Sequence, residues 1–197
     1  MEESARREGL LVDGTGAPLA EEDSGSVELP DGTVVAYHAI APDNASALQR
    51  FHHRLSERSI YLRFFAAKPE LSDREAGYFT NLDMIDRFAL VALDPESEGE
   101  IIGVVSFDRE GDTDRAEYAA EVADSWQGRG LGMALTRRLI EAALKRGVGT
   151  LIGIVLPQNR KMLNLFRDLG LPERLRYDYE EGTDYVEIDL SAPPKHI

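Results

Sequence analysis

Apolar residues recur along the chain at two spacings, one typical of strands and one typical of helices. Short apolar and β-branched runs bounded by Gly, Pro, Asp or Asn predict seven strands. They cover residues 34–40, 87–93, 100–107, 115–123, 150–156, 175–179 and 185–190. Helical spacing connects Leu131, Leu135 and Leu139 between Gly130 and about Arg146. The longest helix is therefore predicted directly after a glycine-rich turn.

Three further helices follow from the same spacing and from start signals. Residues 43–55 and 158–169 carry apolar positions at helical spacing, and Ser72 and Glu75 stand at capping-box spacing. The predicted order is strand, two helices, three strands, helix, strand, helix and two strands. It predicts one α/β domain over residues 27–190, with a mixed, mostly antiparallel sheet of about seven strands and about four helices. Residues 1–26 are expected to form a flexible acidic arm, and residues 191–197 a tail.

The composition narrows the classes of function. No apolar run approaches the roughly 20 residues that cross a bilayer, and the acidic N-terminus lacks the features of a secretory signal. We therefore expect a soluble, cytoplasmic protein without a membrane partner. The chain has no cysteine, which excludes disulfides, thiolate metal sites and a covalent cysteine intermediate. The net charge of −14 argues against a nucleic-acid partner and suits a cationic or amine substrate.

The glycine-rich turn has the sequence DSWQGRGLG at residues 124–132, between a predicted strand and the longest predicted helix. Its three alternate glycines leave backbone N–H groups uncovered, and the helix dipole adds positive potential beside them. Such a turn can hold a diphosphate, although the glycines could also only tighten the loop. A dinucleotide fingerprint would need a glycine where Met133 or Leu135 stands, and no Gly-Lys-Ser/Thr sequence follows a phosphate loop. Neither of these nucleotide-binding motifs fits.

The sequence QGRGLG at residues 127–132 matches the Q/R-x-x-G-x-G/A signature of the GNAT superfamily of N-acetyltransferases. Residues 155–162, with the sequence VLPQNRKM, resemble the last core strand and following helix of that family. Residues 29–40, 61–65 and 88–93 resemble bacterial protein lysine acetyltransferases of the Pat type. The resemblance spans roughly residues 27–190. It implies a GNAT fold in which a splayed strand pair forms the CoA cleft, with acetyl-CoA as cosubstrate and no metal.

The resemblance also implies which residues contact acetyl-CoA. The strand at 115–123 would part from the strand at 150–156, and the exposed backbone would pair with the pantetheine arm. The cofactor-binding residues implied in this way are Val122, Ala123, Asp124, Gln127, Gly128, Arg129, Gly130, Leu131, Gly132, Met133 and Asn159. Asn159 is equally suited to cap a helix, because it follows Pro157 at a helix start.

Acetylation of an amine requires a base, because an alkyl ammonium with a pKa near ~10.4 arrives protonated at neutral pH. Glu117 and Glu121 stand four residues apart on one strand and therefore share a face. The resemblance assigns the base to Glu117, acting through a water, with Glu121 as the second candidate. Both could instead be solvated residues paired with Arg. Phe166 stands where many family members place a tyrosine that protonates the leaving thiolate. Because a thiol has a pKa of about 8.5, the thiolate can leave without such an acid.

Three hypotheses about function follow. The first is direct acetyl transfer to a protein lysine, for which the Pat resemblance suggests AMP-forming acyl-CoA synthetases as partners. The second is a small-molecule amine acetyltransferase on the same scaffold. The third is a non-catalytic acyl-CoA sensor, which would need the cofactor site but no base. The sequence leaves the acyl-chain preference and the oligomeric state open.

Overall fold

The computed structural model describes residues 23–192, and in them one sheet of eight strands carries helices on both faces. The strands are β1 (Ser24–Glu28), β2 (Val34–Ala39), β3 (Arg87–Leu93), β4 (Ile101–Arg109), β5 (Arg115–Val122), β6 (Thr150–Val155), β7 (Glu173–Asp178) and β8 (Thr183–Asp189). The helices are α1 (Ala45–Arg54), α2 (Glu57–Phe64), α3 (Asp73–Thr80), α4 (Leu131–Lys145) and α5 (Arg160–Asp168).

The sheet has the strand order β1-β2-β3-β4-β5-β6-β8-β7. Neighbouring strands are antiparallel except for β5 and β6, which run parallel. A parallel pair needs a crossover connection, and the longest helix, α4, supplies it. The one parallel pair therefore lies in the middle of the sheet, directly beside the glycine-rich turn that begins α4.

Two hydrophobic clusters cover the two faces of the sheet. On one face, Leu131, Leu135 and Leu139 of α4 and Phe166 of α5 are buried. On the other face, the helices α1, α2 and α3 cover β3 and β4 with a second cluster that includes the fully buried Phe51. The helices α1, α4 and α5 bury apolar positions that their sequence spacing predicted, and the two clusters hold the sheet between two helical layers.

The predicted mixed, mostly antiparallel α/β architecture is confirmed, with one strand and one helix added. The added strand, β1, begins at Ser24, before the expected start of order at Val27. Its residues other than Val27 are exposed and pair with β2 through the backbone, so no apolar pattern marks them. The added helix is α2, which buries only Ile60 completely and therefore shows little apolar periodicity.

One start signal in the sequence, the capping box at Ser72 and Glu75, lies at a real helix end. The Ser72 hydroxyl accepts a hydrogen bond from Glu75 N, and the Glu75 carboxylate accepts one from Ser72 N, which completes the predicted capping box of α3. The predicted arm and tail lie outside the described residues apart from 23–26 and 191–192. Among residues 23–192, no helix is long and apolar enough to cross a membrane.

Candidate active site

A cleft opens where β5 and β6 separate. The parallel register pairs Arg115 with Thr150 and ends at Tyr118 with Gly153. Beyond this point β6 continues to pair with β8, while residues 119–122 of β5 have a strand partner only on the β4 side among the described residues. A cavity of about 440 Å³ lies between the two strands. The splayed strand pair that the family resemblance implies is therefore present.

Phe166 of α5 lies at the point where the two strands part. A Cβ atom placed on Gly153 would lie 2.5 Å from the ring Cζ of Phe166, so the ring rests directly on the β6 backbone. The same ring meets Tyr118 of β5 edge-on, with the ring centroids 5.4 Å apart. Phe166 thus contacts both strands beside the opening and lines the cavity.

The glycine-rich turn forms one end of this cavity. Gly128 and Gly130 adopt positive φ angles of 77° and 93°, and α4 begins at the next residue, Leu131. Gly128, Gly130 and Gly132 all line the cavity, and a Cβ on Gly128 would meet no atom within 4 Å. Because no side chain among residues 23–192 caps the start of α4, its first N–H groups can bind an anion. The residues present therefore fit a diphosphate.

Arg129 and Leu131 are two of the predicted cofactor residues that do not line this cavity. The Arg129 guanidinium stacks on Trp126 at 4.0 Å and donates to the Asp31 carboxylate at 2.8 Å. Leu131 is fully buried in the core beneath α4. Cofactor binding by these two residues has to use their backbone. The Arg129 side chain instead fastens the turn between β1 and β2 to the glycine-rich turn.

The Asp124 side chain holds the start of α2. Its carboxylate accepts hydrogen bonds from Ser56 N, Ser56 Oγ and Ser59 Oγ, each at 2.8 Å. Although partial burial works against its charge, these hydrogen bonds lower the pKa of Asp124. A cofactor contact by Asp124 would therefore use its main chain. Sequence reasoning missed Ser56 and Ser59, and the only signal for them was a Ser at a possible N-cap position.

Gln127 links the glycine-rich turn to three other segments. Its side-chain amide donates to Val122 O at 3.0 Å and to Ser59 Oγ at 3.1 Å, and its Oε1 accepts from Lys161 Nζ at 2.8 Å. Lys161 belongs to α5, so this last bond crosses from one wall of the cleft to the other. Gln127, Val122 and Lys161 all line the cavity, and Lys161 was not anticipated from the sequence.

The remaining predicted cofactor residues divide by position. Met133 and Asn159 line the cavity, whereas Ala123 directs its N–H to Ile102 O at 2.9 Å. Asn159 is the N-cap of α5 and accepts from Met162 N at 3.2 Å, so its alternative reading as a helix cap is confirmed. The Asn159 amide nitrogen stays available to a ligand.

Glu117 and Glu121 both line the cleft and lie on one face of β5, as the strand period predicted. The Glu117 side chain is exposed. Glu121 is largely enclosed, and its Oε1 is shielded from solvent and has no hydrogen-bond partner in the described part of the chain. Burial raises the pKa of Glu121 from 4.5 to about 7, and the charge of Arg63 opposes part of this rise. The Glu117 carboxylate is therefore open to water, whereas the pKa of the Glu121 carboxyl group lies near neutral pH.

A second cavity of about 420 Å³ lies on the other side of β5, beneath α2 and α3. Five residues line both cavities, namely Arg63, Glu117, Ala119, Ala120 and Glu121. The two candidate bases thus stand at the junction of two spaces, one of which ends at the anion-binding turn. This arrangement suits the transfer of a group between two ligands that approach from opposite sides.

Tyr118 carries a hydroxyl group, and its ring packs edge-on against Phe166. Its hydroxyl lies 2.7 Å from Thr136 Oγ1, which donates to Gly132 O at 2.7 Å. The Tyr118 proton is therefore directed at Thr136. Burial raises the pKa of Tyr118 well above its usual range. Both features make this phenol a poor donor of a proton to a leaving thiolate, and the position of Phe166 supplies no acid either.

The fold and the cleft define an acyltransferase of the acetyl-CoA-dependent type. The acetyltransferase (GNAT) family matches residues 58–171. The chain belongs to this family and is an N-acetyltransferase that uses acetyl-CoA.

Solved structures and sequence relatives agree with this membership. The GNAT domain of S. lividans PAT is 34% identical, with a TM-score of 0.79, and the match covers 86% of this chain and 98% of that one. An acetyltransferase of Pseudomonas aeruginosa is 28% identical over 152 residues, which are 76% of this chain and 81% of the relative. Salmonella typhimurium yncA, solved with acetyl-CoA, shares the fold at 17% identity and a TM-score of 0.62, over 83% of this chain and 98% of that one.

Proposed function

We propose that this protein acetylates the Nε atom of lysine in other proteins, with AMP-forming acyl-CoA synthetases as the target class. The observation that carries the proposal is the position of Glu117 and Glu121 where the cofactor cavity meets the second cavity. The similarity to the GNAT domain of S. lividans PAT, over nearly the whole of that domain, supports the choice of a protein acceptor.

The reaction balances without a covalent enzyme intermediate. A carboxylate of β5 takes a proton from the lysine ammonium, directly or through a water, which frees the nitrogen lone pair. The nitrogen attacks the thioester carbonyl, a C–N bond forms, and the C–S bond breaks with departure of the CoA thiolate. The second proton of the amine leaves the nitrogen and neutralises the thiolate. The chain has no cysteine that could carry the acetyl group between these steps.

We assign the base to Glu117, with Glu121 as the alternative. Glu117 is exposed and can exchange its proton with water after each turnover. Glu121 has a pKa of about 7, which matches the pH at which a general base is most effective. Backbone N–H groups along the free edge of residues 119–122 are available to the oxyanion that forms during the attack.

Substitutions distinguish the two carboxylates. Glu117→Gln should lower kcat by a factor on the order of 10²–10⁴ with little change in acetyl-CoA affinity, because the amide cannot accept the proton. Glu121→Gln should then leave kcat much closer to wild type. If Glu121→Gln instead shows the large loss of kcat, the base is Glu121. The pH–rate profile of that variant should then lack the limb near pH 7. Unchanged turnover in both variants would contradict a carboxylate base.

A labelling assay tests the acceptor. Purified acyl-CoA synthetase, incubated with the protein and labelled acetyl-CoA, should gain one label on a lysine. A panel of polyamines, amino acids and aminoglycosides should react more slowly. A small amine that turns over while the synthetase stays unlabelled would instead establish a small-molecule acetyltransferase, for which the second cavity has room. Cofactor binding without any transfer would support the sensor hypothesis.

A further inference from the structure

The second cavity has a floor made of three rows of side chains that cross the sheet. The register places Arg87 of β3 opposite Asp108 of β4, and Asp108 opposite Glu117 of β5. Side chains directly opposite one another on neighbouring strands are close enough to interact. This first row therefore carries two carboxylates and one guanidinium.

The next row is small, and the third is mainly apolar. The middle row consists of three small residues that stand opposite one another, Ala89, Ser106 and Ala119. Their short side chains leave space above this part of the sheet. The third row consists of Val91, Val104 and Glu121, of which Val104 and Glu121 line the cavity. Aromatic side chains from the helices, Phe64 and Phe79, line the same cavity. The space above the middle row is therefore apolar, with charged groups at its ends.

The charges of the first row are not balanced. Arg87 donates from Nε to Asp108 Oδ2 at 3.1 Å, and Asp108 Oδ1 receives no hydrogen bond from the described residues. The Arg87 guanidinium is held on the far side, because it stacks on Tyr78 at 3.9 Å and donates to Tyr78 O at 3.0 Å. Within residues 23–192, Glu117 has no ion-pair partner. The Glu117 carboxylate and the Oδ1 atom of Asp108 thus face the cavity without a paired cation.

The other charged groups that line the cavity are already engaged. Arg109 donates to Asp86 at 2.7 Å and to Thr113 O at 2.9 Å. Glu110 lies 3.5 Å from Arg115. The Arg63 guanidinium lies 5.1 Å from the centroid of the Phe64 ring, and its charge opposes the rise that burial causes in the pKa of Glu121. These contacts leave the first row as the place where an additional positive charge would be favoured.

We infer that the second cavity binds the acceptor as a primary ammonium on an alkyl stem, and that Asp108 is a specificity-determining residue that receives the ammonium together with Glu117. The methylene stem lies over the small middle row, between the aromatic side chains and the sheet. The ammonium then stands beside Glu117, which removes its proton. This inference rests on the proposed acetyl transfer and adds to it the residue that selects a cationic amine.

The test measures initial rates with acetyl-CoA and Nα-acetyl-lysine methylamide, a lysine side chain without other charges. Asp108→Asn should raise KM for this amine about 10- to 100-fold, because one charge-assisted hydrogen bond is lost. KM for acetyl-CoA should stay unchanged. Asp108→Glu keeps the charge and should recover most of the loss. Asp112→Asn removes one exposed charge from the neighbouring loop outside the cavity and should match wild type.

A second variant tests the floor of the cavity. Ser106→Leu places a larger apolar side chain in the middle row and should also raise KM for the amine, with acetyl-CoA binding retained in a thermal-shift measurement. Ser97→Leu, the same exchange in the exposed β3–β4 loop, is its control and should behave as wild type. Thermal melts of all variants show whether each is folded.

The outcomes separate the inference from the function on which it rests. If wild type binds acetyl-CoA and acetylates no amine, the proposed function fails. If wild type acetylates the lysine amide while Asp108→Asn shows the same KM as Asp112→Asn, the function stands and the assignment of Asp108 is overturned. A change in KM for acetyl-CoA of equal size in Asp108→Asn would also overturn it, because it would indicate a general structural role.

Discussion

Replacement of Glu121 by Gln should make the protein more stable at neutral and alkaline pH. Glu121 carries a largely buried carboxylate whose Oε1 has no hydrogen-bond partner among the described residues, so ionisation of this group works against the folded state. A neutral amide of the same shape removes the charge and keeps the packing. The effect should depend on pH, because a protonated Glu121 is already neutral.

The magnitude follows from the pKa. Burial raises the pKa of Glu121 from 4.5 to about 7, so the folded state retains a proton that the unfolded chain releases between these pH values. The free energy of unfolding of the wild type therefore falls as the pH rises through this window. At 1.36 kcal/mol per pH unit, the loss reaches about 3 kcal/mol at pH 8. Glu121→Gln should gain up to that amount at pH 8 and almost nothing at pH 4.5.

Urea unfolding followed by circular dichroism at pH 4.5, 6 and 8 measures this gain. Glu98→Gln, in the exposed loop between β3 and β4, controls for the removal of one negative charge from an acidic chain. The difference between the two variants should grow with pH and level off above pH 7. A difference that stays the same at all three pH values, or that is absent at pH 8, would refute the argument from burial.

Three further substitutions test the walls of the cleft. Gly153→Ala should destabilise the protein by about 1–3 kcal/mol, because the new methyl group would overlap the Phe166 ring, and a thermal melt measures this. Gly130→Ala should weaken acetyl-CoA binding in calorimetry, since a Cβ would lie 2.8 Å from Pro30 Cδ at a φ of 93°. Asp124→Ala should cost about 1–2 kcal/mol in urea unfolding, because it removes the three hydrogen bonds that hold Ser56 and Ser59 at the start of α2. A wild-type value in any of these measurements would contradict the corresponding contact.

The elements with clear apolar periodicity were predictable from the sequence. Leu131, Leu135 and Leu139 marked α4, and the alternation around Glu117 and Glu121 placed both carboxylates on one face of β5. These features depend on local spacing, which the sequence shows directly. The elements that were missed, β1 and α2, bury few residues and are held by backbone pairing and by capping, which leave no apolar pattern.

The site was predictable in outline and not in its side-chain contacts. The glycines at 128, 130 and 132 line the cavity as expected, because three alternate glycines at a helix start leave backbone N–H groups uncovered. The directions taken by Arg129 and Asp124 were not visible in the sequence. Both side chains are turned away by partners that are distant along the chain, Asp31 for Arg129 and Ser56 for Asp124. Contacts of this kind depend on the tertiary fold.

The free edge of β5 at residues 119–122 has a consequence for solubility as well as for binding. Unpaired strand edges invite pairing with other chains, and proteins usually blunt them or cover them. This edge lines a cavity of about 440 Å³ between the glycine-rich turn and α5, and does not lie at the outer margin of the sheet. A ligand arm with its own amide groups can still enter the cavity and pair with this edge of β5, as a peptide does in β-strand addition. Hydrogen exchange of these backbone amides should therefore slow sharply when the cofactor completes the sheet.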